Sequence, residues 1–161
     1  MSPIPCFWFD GSAEEAAAFY VSLFANSSVD RVLRYPDGAP FPVPYSAGSV
    51  MLVEFTLQGR PYQALNGGPQ FPVTEASSLV VETADQAETD RIWAALTAEG
   101  GAEQASGWCK DRFGLSWQIV PRRISQLQFS GRPDQVSAMY AAMMPMKKLD
   151  IAKLEAVFNA A

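Results

Sequence analysis

The sequence contains no histidine in its 161 residues. This excludes a Ser-His-Asp or Cys-His nucleophile pair, a zinc, iron or copper ion held by imidazole, and an imidazole general base. Cysteine is scarce: Cys6 and Cys109 are the only two, without the close spacing of a thiolate metal site, so neither a disulfide scaffold nor such a site is expected. Reduced thiols and a cytoplasmic location are the expectation. Basic residues are outnumbered, with 12 Lys and Arg against 17 Asp and Glu and a net charge of −5. Phosphate recognition needs a basic surface, so no nucleic acid partner is expected. No apolar run approaches the length that spans a bilayer, and Met1 to Pro5 lacks a basic region leading into an apolar one. No membrane partner and no secretion signal are expected.

What is present is a regular alternation of short strands and helices. Ile4 to Phe9 is an apolar strand ending at Asp10-Gly11. Ser12 to Phe24 follows as a helix, with Ser12 and Glu15 spaced as a capping box and Ala16, Phe19, Tyr20 and Leu23 on one face. Ser28 to Tyr35 alternates as a strand, although Val32 breaks the pattern. Tyr35 to Gly48 carries Pro36, Pro40, Pro42 and Pro44 and reads as a long loop, either a lid or an arm. Val50 to Leu57 and Arg60 to Leu65 form a hairpin about Gln58-Gly59. After Asn66-Gly67-Gly68-Pro69 come a strand over Ser77 to Glu82 and a helix over Asp85 to Ala98. Asp85 and Glu88 are spaced as a second capping box, and Ala87, Ile92, Ala95 and Leu96 form the apolar face. Short strands near Glu103 to Ala105 and Trp108 to Lys110, a turn at residues 111–114 and a strand over Leu115 to Val120 complete the series. Pro133 to Met144 and Asp150 to Phe158 read as helices.

The chain repeats itself. At an offset of 73, Ser12 falls on Asp85, Glu15 on Glu88, Phe19-Tyr20 on Ile92-Trp93 and Leu23 on Leu96. At an offset of 55, Gly59 and Tyr62-Gln63 fall on Gly114 and Trp117-Gln118. The proline-rich loop accounts for the difference. The expected fold is therefore α+β: two βαβββ modules over residues 1–68 and 77–121, a connector over 69–76, and a helical extension over 122–161.

Two βαβββ modules, together with several local motifs, resemble the vicinal oxygen chelate superfamily of glyoxalases and bleomycin-resistance proteins. The motifs are Cys6-Phe7-Trp8-Phe9-Asp10-Gly11-Ser12-Ala13-Glu14-Glu15-Ala16, Phe19-Tyr20, Ala64-Leu65-Asn66-Gly67-Gly68-Pro69, Ser78-Leu79-Val80-Val81, the run from Gly107 to Gln118, and Met146 to Ile151. Within the superfamily they are most similar to the PhnB-like branch, often labelled 3-demethylubiquinone-9 3-methyltransferase. The resemblance implies a glyoxalase-like curled mixed sheet that forms a cup. It also implies four ligand positions, which fall here on Pro5, Gln63, Ser78 and Gln118. Two amides, a hydroxyl and a proline make a poor donor set, so neither a bound metal nor any other cofactor is expected.

A cup without a metal can still hold a small molecule. Phe7 and Phe9 share parity with Pro5, so Phe7, Phe9, Gln63, Ser78 and Gln118 are the candidate ligand-binding residues, with Tyr62 and Trp117 turned the other way. On the plainer reading these side chains only fill the interior, as in an interaction module with a filled cup. A third reading is an enzyme of the same superfamily, a methyltransferase by label or lyase- or dioxygenase-like, acting without a histidine-held metal. A homodimer is expected, with Met139, Met143, Met144 and Met146 offering an apolar surface unless they pack on their own chain. Cys109, beside Lys110 and Arg112, is either an activated thiol or a strand cysteine. Glu54 is either a cavity carboxylate or part of a solvated face, and Asp111 with Arg112 is expected as a turn with a surface pair.

Overall fold

The computed structural model describes residues 3–38 and 45–161. The chain divides into two compact units, 1–73 and 74–161. In the first unit β1 (Cys6–Phe9), α1 (Ala13–Leu23), β2 (Ser28–Arg34), β3 (Val50–Leu57) and β4 (Arg60–Asn66) form a βαβββ module. Its sheet has the order β1-β4-β3-β2, with β1 parallel to β4 and the other neighbours antiparallel. The β3–β4 turn carries positive φ at both Gln58 and Gly59, the geometry that matches strand twist in a two-residue hairpin.

One face of this sheet is covered by α1. Ala13, Ala16 and Ala17 are buried and let the helix approach closely, while Tyr20 packs on Phe55 and Phe55 stacks on Tyr62. Burying each of the larger side chains contributes on the order of 1.5–3 kcal/mol. Phe19 stays half-buried. The helix does not start from the expected capping box, because Ser12 makes no side-chain cap bond. The carboxamide of Asn66 takes that place: its Oδ1 accepts from the Ala13 N–H at 2.9 Å, and its Nδ2 donates to the Val50 carbonyl at 3.0 Å. The Asn66 carbonyl in turn accepts from the buried Tyr35 hydroxyl at 2.5 Å. The far end of the proline-rich loop is held where Tyr45 donates to Asp10 Oδ1, again at 2.5 Å. The loop tip, residues 39–44, lies outside the described residues.

The second unit repeats the module with β5 (Ser78–Thr83), α2 (Gln86–Thr97), β6 (Ala102–Glu103), β7 (Trp108–Lys110) and β8 (Ser116–Pro121), in the order β5-β8-β7-β6. The sheet pairs parallel at β5–β8 and antiparallel elsewhere, as in the first unit. Here the cap forms as expected, Asp85 accepting from the Glu88 N–H at 2.8 Å. The return bond from Glu88 goes to the N–H of Ala84, one residue earlier than expected. The buried face of α2 is Thr89, Ile92, Trp93 and Leu96. Ala87 is exposed, because Thr89 turns inward to share a hydrogen bond with Thr83 across the strand–helix turn.

Three helices follow: α3 (Arg122–Ser130), α4 (Pro133–Met143) and α5 (Ile151–Ala160). The first lies within the expected helical extension but is not one of the two helices read from the sequence. It begins directly at the end of β8, with Pro121 serving both as the last strand residue and as the helix N-cap. Ile124, Leu127, Met139, Met143, Leu149, Leu154 and Phe158 form a core of their own, against which Met146 packs. The methionine surface expected for a second copy is therefore largely consumed inside the chain, and Met144 alone of the four stays exposed. Gln86 ties this layer to α2. It donates to the Leu149 carbonyl and accepts from the Ile151 N–H at 2.9 Å. Among the described residues no helix is long and apolar enough to cross a membrane.

Two substitutions test these anchors. Asn66→Ala is expected to destabilise the protein by roughly 1–3 kcal/mol for each buried group it leaves unpaired, read by denaturant unfolding. At Gly67 a Cβ would lie 2.1 Å from the indole of Trp8, which is held by its own bond to the Gly68 carbonyl. Gly67→Ala is expected to cost roughly 1–3 kcal/mol and to shift tryptophan emission.

Candidate functional site

Side chains alternate across a strand, so each sheet has a helix face and an open face. On the open face of the first unit the register lines up one row across all four strands. Cys6 on β1 faces Gln63 on β4, Gln63 faces Glu54 on β3, and Glu54 faces Arg31 on β2. Gln63 Nε2 donates to Glu54 Oε1 at 3.2 Å, and Arg31 Nε donates to Glu54 Oε2 at 2.5 Å. Arg31, Val32, Leu33, Leu52 and Glu54 line a recess of about 240 Å³ beside this row. Glu54 does share the face of Thr56, yet its side chain is only 28% exposed and both oxygens are engaged.

Arg31 was not among the residues the sequence singled out. Its place depends on a bulge at Asp30, where two steps on β2 match one on β3. Val32, which interrupts the alternation of β2, is the trace of that bulge in the sequence.

Phe7 and Phe9 do not join Gln63. Phe7 is the register partner of Ala64 and stacks on Tyr62 with centroids 6.1 Å apart, while Phe9 is buried opposite Asn66. Both belong to the helix face, with Tyr62. The expected parity took Pro5 as the neighbour of Gln63. The residue facing Gln63 is Cys6, and Pro5 only offers its carbonyl to the Gln63 N–H. One residue of register moves every side chain of a strand to the other face.

In the second unit Ser78 and Gln118 do come together on the open face, with Gln118 Nε2 donating to Ser78 Oγ at 2.8 Å. Gln118 faces Val80 on one side and Trp108 on the other. Gln63 and Gln118 keep the offset of 55, but their neighbours Cys6 and Val80 are 74 apart, not 73. The β5–α2 turn is one residue shorter than the β1–α1 turn, so Ser78 corresponds in register to Ile4 rather than to Pro5.

The helix face of this sheet carries Cys109, Trp117 and Ile119, all buried. Asp111 is no surface residue. It is 3% exposed, and it accepts from the Phe113 and Leu115 N–H groups through Oδ1 and from Trp117 Nε1 at 2.7 Å through Oδ2. Arg112 pairs with Glu99 and lies over the Phe113 ring. Burial, with Asp111 and Glu103 nearby, pushes the Cys109 thiol up to about 12, the opposite of activation. Among the described residues no three of His, Cys, Asp and Glu come together as a metal site. Gln63, Ser78 and Gln118 supply only neutral oxygens, which hold divalent transition ions weakly.

Thiol counting checks the cysteine assignments. With a disulfide reagent near pH 8, one thiol per chain, exposed Cys6, is expected to react in the native protein. Cys109 is expected to react only after unfolding.

Comparison with known proteins agrees with this architecture. The family model described as 3-demethylubiquinone-9 3-methyltransferase matches residues 2–120. A PhnB protein from Bacillus cereus, provisionally assigned as a 3-demethylubiquinone-9 3-methyltransferase, is 30% identical. The alignment covers 75% of this chain and 99% of that one, at a TM-score of 0.66. Protein PA1353 from Pseudomonas aeruginosa, 22% identical over 75% of this chain and 97% of its own, shares the fold at a TM-score of 0.61. No curated protein matches the chain. With a family match over most of its length and two open four-stranded mixed sheets of glyoxalase-like topology, the chain belongs to the 3-demethylubiquinone-9 3-methyltransferase family, in its PhnB-like branch.

Proposed function

We propose that this family member binds small organic molecules at the open face of each sheet, using side-chain amides and hydroxyls rather than a resident metal. The observation that carries this reading is the placement of Gln63 and Gln118. They occupy equivalent register positions on the helix-free faces, and each is oriented through its Nε2 by one polar neighbour, Glu54 or Ser78. A carboxamide fixed through its N–H arm presents its oxygen in a defined direction, which is how a mostly apolar pocket orients a ligand. Leu33, Leu52 and Trp108 supply apolar surface beside these groups. The donor set does not suit a metal, because both Glu54 oxygens are taken by Arg31 and Gln63 and the remaining donors are neutral.

The family name points to a second reading, methyl transfer from S-adenosylmethionine. The common cradle for such a cofactor is a glycine-rich turn leading from a strand into a helix. The glycine pairs here serve other ends. The Trp8 ring fills the space over Gly67, and the Leu96 and Lys110 carbonyls crowd Gly101. Neither pair opens a helix, so the residues present do not fit that cradle.

Amide NMR spectra recorded with mixtures of small carboxylic acids, phenols and quinones test the binding reading. Saturable shifts are expected at open-face residues of β3, β4, β5 and β8. They should weaken about tenfold or more in the Gln63→Ala/Gln118→Ala double variant, which removes the orienting groups. S-adenosylmethionine is expected to cause none. Shifts that survive the double variant, or stoichiometric metal in protein purified without added metal, would overturn the reading.

A further inference from the structure

We infer that the open face of the second unit carries an oxyanion subsite formed by Ser78, Ser116 and Lys110, taking a carboxylate or phosphate group of the bound molecule. This rests on the reading of that face as a ligand-binding face and names the chemistry it selects. Register puts the three residues in a single row: Ser78 on β5 faces Ser116 on β8, and Ser116 faces Lys110 on β7. Directly opposed residues project to the same side of a sheet, with strands about 4.8 Å apart, so the row shares the face of Gln118.

The hydrogen-bond inventory of this row is unbalanced toward donors. Gln118 gives its N–H to Ser78 Oγ, so the Ser78 proton points elsewhere. Ser116 is 0% exposed, and its Oγ has no hydrogen-bond partner among the described residues. A hydroxyl buried without a partner is unfavourable, and few are left so without a reason. Lys110, with its side chain 28% exposed, spends one N–H on Glu75 at 2.6 Å and has two more. Two hydroxyls and a half-buried lysine side chain therefore share one side of the sheet. The complement to that set is a group that only accepts and carries negative charge. Trp108, the neighbour of Gln118, stands on the same face to receive the organic remainder. Glu75 is the resident counter-ion of Lys110, and an incoming oxyanion competes with it.

Acetate and inorganic phosphate, titrated at constant ionic strength with chloride as control, are the probes. Amide shifts at Ser78, Lys110, Ser116 and Gln118 provide the readout. At least one of the two oxyanions is expected to give saturable shifts there, and chloride none; which one binds distinguishes a carboxylate from a phosphate subsite. Ser116→Ala is expected to weaken that binding about tenfold. Its melting temperature should stay level or rise, since the variant removes an unpaired buried hydroxyl. Glu75→Gln is expected to tighten binding by removing the competing carboxylate. Unchanged affinity in Ser116→Ala, or shifts spread over surface lysines and arginines, overturns the subsite. If oxyanions give nothing while neutral compounds still move Gln63 and Gln118, the subsite alone is wrong. If no compound of any class does so, the binding reading falls with it.

Discussion

The Asn66 carboxamide holds together what the first unit needs for its open face. It sits at the end of β4, caps α1 through the Ala13 N–H and ties back to β3 through the Val50 carbonyl, while the Asn66 main-chain carbonyl accepts from Tyr35. Helix, hairpin and loop base are thus fixed at a single point. With α1 held against one face, period-two alternation decides the rest. Tyr62, Phe55 and Phe7 go to the helix, and Gln63, Glu54 and Cys6 go to the open side. Removing this pin would loosen the register on which the row from Cys6 to Arg31 depends.

The second unit reaches the same topology with a different pin. Asp111 closes the turn before β8 by accepting two backbone N–H groups, and it orients Trp117 through the indole N–H. A carboxylate buried this deeply persists because its lone pairs are filled. The two modules have otherwise diverged at their first strands. A strand–helix turn one residue shorter leaves Val80 where the first unit has Cys6, and brings Ser78 within reach of Gln118. One open face therefore carries an ion pair beside an amide, and the other carries hydroxyls, an amide and a lysine.

The helices beyond residue 120 lie outside the family match yet are integral to the second unit. They bring their own apolar core, and Gln86 satisfies the first N–H of α5 from the start of α2. Three cations in this region, Arg123, Lys148 and Lys153, are each paired with an acid. These pairs line a groove beside the start of α2 and α5 in which every cation is matched by an acid, in contrast to the donor-rich row on the sheet.

Local signals carried much of the fold. Hydrophobic alternation, the Gln58-Gly59 turn and the repeated spacing of caps and aromatic pairs place the elements and the duplication, because these are short-range properties of the chain. The lack of histidine likewise bounds the chemistry whatever the fold. Which face Phe7 shows was beyond reach, since it turns on a one-residue register between β1 and β4, two strands far apart in sequence. The Ser12 cap failed for a related reason: a distant carboxamide outcompeted a local hydroxyl. Arg31 reached Glu54 through a bulge that the sequence marks only as a break in pattern. Ser116 carries no sequence signal at all. Its burial without a partner among the described residues, between Ser78 and Lys110, is a property of three strands brought side by side, and tertiary structure alone could decide it.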